Sequence, residues 1–180
     1  MEPGSNVEML GGPDDEGEIL TPGEFAQEFL LELLGAMGTA TEVEDHGESE
    51  DGSWSLEITG EDAEVLVGEQ GATLHALQYL TTLVTQRRVG DTVRLHLDAA
   101  GYRGRRQKDL EEMARTVAAA VAENGQEAEL DPLNAYERLL IHNALADHPD
   151  VRTYSEGQEP DRRVIIAPRG AEDEAQDEEA

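Results

Sequence analysis

Arg138 and His142 stand four positions apart in the stretch Pro132-Leu133-Asn134-Ala135-Tyr136-Glu137-Arg138-Leu139-Leu140-Ile141-His142. On an α-helix this spacing places them about 40° apart around the axis and one turn along it. A guanidinium fork beside a ring that donates a hydrogen bond or stacks on a base makes a compact anion site, and phosphate is the obvious ligand. Upstream, Arg103, Arg105, Arg106 and Lys108 form the densest cationic cluster of the chain and suit contacts that track a phosphate backbone. Asp109, Glu111 and Glu112 are their alternative partners on an ordinary charged helix.

The helix that carries the Arg/His pair is expected to open at Pro132, with Asp131 capping its exposed N–H groups. Leu133, Tyr136, Leu140 and Ala144 recur at helical spacing and define its buried stripe. Arg138 and His142 fall roughly 160° from the centre of that stripe, so both are expected to face water. A preceding helix runs from Tyr102 to about Glu123, with Leu110, Met113, Ala114, Val117, Ala118 and Val121 as its core stripe, and Asn124-Gly125 ends it. Strands are expected over Glu127–Leu130, Val151–Tyr154 and Arg162–Ile166.

In the first half, Phe25, Phe29, Leu30, Leu33, Leu34 and Met37 predict a helix over Glu24–Met37. Glu42 to Gly52 reads as an acidic connector after a short strand near Ala40–Val43. Its six acids lack the ordered spacing of a metal site. Trp54, Leu56 and Ile58 alternate with Ser55, Glu57 and Thr59, which predicts a half-buried strand. A short apolar helix over Ala63–Val67 then leads into Gly68-Glu69-Gln70-Gly71 and a long helix from Ala72 to about Arg87. Leu74, Leu77, Thr81 and Val84 line one side of it, widened by Ala76, Leu80 and Leu83. Val93, Leu95 and Leu97 supply a last strand. The class is α+β, in two small domains.

A net charge of −28 argues at first against a nucleic-acid partner. The charge is unevenly spread, however. Residues 1–86 hold 20 acids and no Lys or Arg, residues 87–169 hold 15 acids and all 13 bases, and residues 170–180 hold 6 acids. A nearly neutral, Arg-rich region is thus flanked by acidic sequence, and residues 1–23 and 169–180 read as disordered acidic tails. There is no cysteine, no apolar run of membrane-spanning length and no signal-peptide pattern, so a cytoplasmic protein without a membrane partner is expected. Enzyme motifs are missing too: no nucleophile elbow, no phosphate loop and no His-Glu-x-x-His. His46-Gly47-Glu48 lacks the cysteines of a zinc deaminase. We expect no enzyme, no metal and no cofactor.

Tyr136-Glu137-Arg138-Leu139-Leu140-Ile141-His142 resembles the signature of the R-three-H domain, which binds single-stranded nucleic acid, and the segment Val151 to Pro168 resembles that domain's closing hairpin. A lone G-x-x-G is an ordinary turn. Placed between two helices of an α+β unit, Gly68-Glu69-Gln70-Gly71 resembles the loop of a KH domain, where nucleic-acid backbone approaches closely. Leu66 to Leu80, followed by Asp98-Ala99-Ala100-Gly101-Tyr102-Arg103-Gly104-Arg105-Arg106, is similar to the Jag (SpoIIIJ-associated protein) family, which joins a KH domain to an R-three-H domain and is regarded as RNA-binding.

The resemblance implies a KH-like domain over 24–100 and an R-three-H domain over 101–168, the latter a small sheet packed on two helices. The nucleic-acid-binding residues it implies are Arg138, His142, Gly68, Glu69, Gln70 and Gly71, with Arg103, Arg105, Arg106 and Lys108 beside them. The two variable loop positions, frequently basic in KH domains, are Glu69 and Gln70 here. Residues 1–23 are too short for the family's additional N-terminal domain, so functions tied to that domain are not carried over. The expected function is non-catalytic binding of single-stranded RNA, as a post-transcriptional regulator linked to bacterial cell elongation and envelope growth. The alternative is a scaffold whose KH half binds a small, separate KH protein.

Overall fold

The computed structural model describes residues 20–90 and 92–170. The chain divides after Ala100 into two units. The described residues form four α-helices and two three-stranded sheets, an α+β protein. The acidic segments 1–19 and 171–180 lie outside the described residues. Among the described residues no helix is long and apolar enough to cross a membrane.

In the first unit, helix α1 (Pro22–Ala36) opens earlier than expected, because Thr21 and Glu24 form a reciprocal capping box and Pro22 fits the first turn. Thr21 to Gly23 therefore belong to the helix start rather than to a tail. Strand β1 (Glu42–Glu48) replaces most of the expected acidic connector. It pairs antiparallel with β2 (Ser53–Thr59), placing Val43 opposite Ile58 in the core. Only Val43 of β1 is buried, so period-2 patterning had a single apolar residue to show, and its acids sit on an edge strand where charge stays wet.

Ala63 to Val67 is not a helix but a run of three-residue-spaced turns, Val65 N to Asp62 O, Leu66 N to Ala63 O and Val67 N to Glu64 O. Helix α2 (Ala72–Val89) then crosses back and delivers β3 (Arg94–Ala99), which lies parallel to β2. Gln78 accepts from the Leu97 N–H at 3.0 Å and Gln86 donates to the Val93 carbonyl at 2.9 Å, fastening α2 along β3. The sheet order is β1-β2-β3. Leu74, Leu77, Thr81 and Thr85 face inward from α2. Leu80 and Leu83, which widen the apolar surface of α2, are 42% and 44% exposed and run with Ala76 and Tyr79 along the outer face.

The second unit begins with α3 (Tyr102–Asn124), closed by Gly125 in the left-handed conformation at φ 68°. It continues through β4 (Ala128–Glu129), α4 (Ala135–Leu145), β5 (Val151–Glu156) and β6 (Arg163–Pro168). The sheet is antiparallel in the order β4-β6-β5. Val164, Ile165, Ile166 and Ala167 are all buried, as a central strand covered on both faces requires. Val164 and Ile166 join Leu110, Ala114, Ala118 and Val121 of α3 and Ile141 and Leu145 of α4 in one apolar core. Met113, placed on the α3 stripe by its spacing, lies outside, and Val117 is half-buried.

Candidate nucleic-acid interface

Helix α4 starts at Ala135, three residues later than expected, because Asn134 and not Asp131 is its cap. Asn134 Oδ1 accepts from the Glu137 N–H at 3.0 Å, and Glu137 Oε2 accepts from the Asn134 N–H at 3.2 Å. The buried positions are Glu137, Arg138, Ile141 and Leu145, while Tyr136 is 56% exposed and Leu140 half-buried. Relative to the expected stripe the helix is turned by about 100°, the angle of one residue. Arg138 and His142 therefore lie against the sheet side of the helix, and the expectation that both face water is corrected. A polar side chain is stable there because fixed partners meet its polar atoms.

Arg138 has only 8% of its side chain exposed. Its Nη1 donates to the Leu133 carbonyl at 2.5 Å and its Nη2 to Glu159 Oε1 at 2.7 Å. Glu159 lies between β5 and β6. The His142 ring is half-buried, with Nδ1 2.7 Å from Thr153 Oγ1 and Nε2 2.9 Å from Ser155 Oγ, two hydroxyls that alternate along β5. Burial, and then the charges of Arg138 and Arg162, hold the His142 pKa below its ordinary value. The neutral ring donates from one nitrogen and accepts at the other.

A histidine that resists protonation when folded supports the fold fully above its unfolded pKa, about 6.5, and the support is lost as pH falls through the depressed folded value. Thermal unfolding between pH 7.5 and 5.5 should therefore show a loss of stability toward acid that is smaller in His142→Gln. Parallel pH profiles for the two proteins would contradict the assignment.

The cationic cluster does not lie on one side of α3. Arg106 Nε donates to Glu137 Oε1 at 2.8 Å, with side-chain exposures of 26% and 8%, and this pair ties α3 to the first turn of α4. Arg106 is thereby also a structural partner of the helix cap, with about a quarter of its side chain still open to solvent. Arg103, Arg105 and Lys108 are exposed. At about 100° per residue Arg105 and Lys108 share one side of α3 while Arg103 lies well away from them.

In the first unit the loop is built as a close-approach turn. Gly68 has φ 72° and ψ −176°, and a Cβ there would lie 2.2 Å from Thr73 Oγ1. Gln70 and Gly71 both take positive φ, 51° and 84°, and Gly71 caps α2 without a side-chain hydrogen bond. Gly68, Glu69 and Gln70 are exposed while Gly71 is buried. The turn presents backbone at a helix start, where N–H groups favour an anion, but sets the Glu69 carboxylate beside it.

Thr153, Ser155, Glu159, Arg162 and Glu137 complete the surroundings of Arg138 and His142, and residue spacing on α4 alone does not reveal them. The alternation of Thr153 and Ser155 in a strand was the one available signal, since it puts two hydroxyls on one face.

Residues 108–168 match the R-three-H domain. The chain is 37% identical over 142 residues to the RNA-binding protein KhpB of Clostridium symbiosum, covering 79% of this chain and 64% of that protein. It is 35% identical over 112 residues to the protein of the same name from Bacillus subtilis, covering 61% and 54% respectively. Against the Lactiplantibacillus plantarum protein of that name it is 38% identical over 105 residues, covering 58% and 33%. The chain thus spans between a third and just under two thirds of the length of these relatives.

Proposed function

We infer that this chain, which belongs to the Jag (SpoIIIJ-associated protein) family, is a non-catalytic protein that binds single-stranded RNA. The observation that carries this is the placing of His142 on two β5 hydroxyls, close enough to the held Arg138 guanidinium and to Arg162 to feel both charges, inside the matched domain. A held guanidinium, a ring donor and hydroxyl donors are the groups that grip phosphate without base preference. Titration of a labelled single-stranded oligoribonucleotide at several salt concentrations tests it. Affinity should fall with salt, with a log–log slope of about −0.7 for each phosphate neutralised. No binding at low salt would end the proposal.

The first unit, residues 24–100, is read as the KH-like partner of this site. Its outer α2 face, with Ala76, Tyr79, Leu80 and Leu83, begins at the G-x-x-G turn and offers apolar surface for bases. Glu69 opposes phosphate there, since like charges about 4 Å apart repel by about 1 kcal/mol in water and by more in a partly buried groove. Glu69→Lys is therefore expected to tighten RNA binding severalfold at low salt, with a gain that shrinks as salt rises. Equal affinity at every salt concentration would remove RNA from this groove.

The cellular role follows the family: cytoplasmic, post-transcriptional regulation linked to cell elongation and envelope growth. Sequencing of RNA crosslinked to the protein in cells tests that role. The same exposed α2 stripe, on a unit whose residues 24–100 hold 16 acids against three Arg and no Lys, also favours a second reading, a scaffold that holds a small KH-domain protein. Co-purification of such a partner after nuclease treatment would support the scaffold. Loss of every partner with the RNA would reject it.

A further inference from the structure

We propose that the Glu159 carboxylate occupies the phosphate position at Arg138, and that RNA enters this site by displacing it. This rests on the RNA-binding reading. The Arg138 guanidinium is nearly buried, and its plane is fixed from within by the Leu133 carbonyl. Its Nη2 points at Glu159 Oε1 at 2.7 Å, the distance and charge of a guanidinium–phosphate contact. The two partners differ sharply in burial. Arg138 keeps 8% of its side chain exposed and Glu159 58%. The cation is thus a fixed part of the fold, whereas the anion hangs from the connection between β5 and β6, with most of its surface already in water.

An exchange follows from this asymmetry. A carboxylate that leaves Arg138 regains full hydration without opening the core, and a phosphate oxygen can take the vacated Nη2. His142, Thr153 and Ser155 stay in place, since they bond to one another and not to Glu159. The internal carboxylate sets a threshold, because any ligand must compete with it. A polyanion gripped at several further points outcompetes it, and an isolated small anion does so poorly. Glu159 is then a residue that tunes affinity and selectivity rather than one that contacts RNA.

The test uses the full chain, wild type, Glu159→Gln and Glu159→Ala, with a labelled single-stranded oligoribonucleotide over a salt series. Both variants should bind about two- to fivefold tighter at low salt, the range in which exposed ion pairs contribute. Their log–log salt slope should stay that of the wild type, because the same phosphate is neutralised at Arg138 in all three proteins. A slope steeper by about 0.7 in the variants would show that RNA leaves the Arg138–Glu159 pair closed in the wild type and would overturn the displacement. In the wild-type protein the Glu159 carboxyl carbon resonance should move on RNA addition toward that of a free glutamate. Wild-type binding with no gain in either variant, or with an unmoved carboxyl resonance, overturns the displacement and leaves the RNA-binding reading intact. No binding by any of the three proteins overturns both.

Discussion

Replacing Arg138 with alanine is expected to destabilise the second unit by about 3 kcal/mol and to abolish binding at this site. Hydrogen bonds from a charged donor each contribute roughly 1.5–3 kcal/mol, and Arg138 makes two, to Leu133 O and Glu159 Oε1. The first holds the chain just before the Asn134 cap, so its loss loosens the entry to α4. The second tethers the β5–β6 connection to the helix. The cost stays at the low end of their sum because Glu159 is mostly exposed and is not stranded as a buried charge. Arg138→Lys keeps the charge without the planar fork, cannot serve both directions equally, and should fall between wild type and Ala. Urea unfolding monitored by circular dichroism measures all three. A midpoint for Arg138→Ala equal to that of wild type, with binding lost, would return Arg138 to a purely ligand-facing role.

Much of this arrangement was legible in the sequence, for identifiable reasons. The limits of α3 follow from a long 3.6-residue pattern and from Gly125, whose left-handed φ ends the helix. Strands β2 and β3 show their alternation openly because their inward residues are large and apolar. β1 was hidden because one buried Val43 carries its packing. The turns at 61–67 bury Ala63, Leu66 and Val67, so their apolar content imitates a helix although their hydrogen bonds close after three residues. At the site, residue types identified Arg138 and His142 but not their orientation. A helical wheel ranks positions by apolarity, and here a charged cap residue paired with Arg106 and an arginine paired with Glu159 occupy inward positions. Their partners lie 31 and 21 positions away, beyond the reach of any local pattern.

The phase of α4 can be settled by two neighbouring substitutions. Ile141 is fully buried in the core of the second unit, beside Leu110, Val164 and Ile166, whereas Leu140 is half-buried and packs only against the margin of that core. Truncating a fully buried isoleucine removes its transfer free energy and leaves a cavity, and such changes cost about 2–5 kcal/mol. Ile141→Ala is expected within that range. Leu140→Ala, whose site opens to solvent on one side, should cost about 1 kcal/mol, since water or neighbouring side chains take up the space. The stripe suggested by Leu133, Tyr136, Leu140 and Ala144 reverses this order. Chemical denaturation of both variants separates the alternatives, and a greater loss for Leu140→Ala would turn α4 back by one residue. Such a rotation would carry Arg138 and His142 out to solvent and break the contacts with Glu159, Thr153 and Ser155 together. The stability order of two aliphatic residues thus also reports on whether the cationic site faces the β5 hydroxyls.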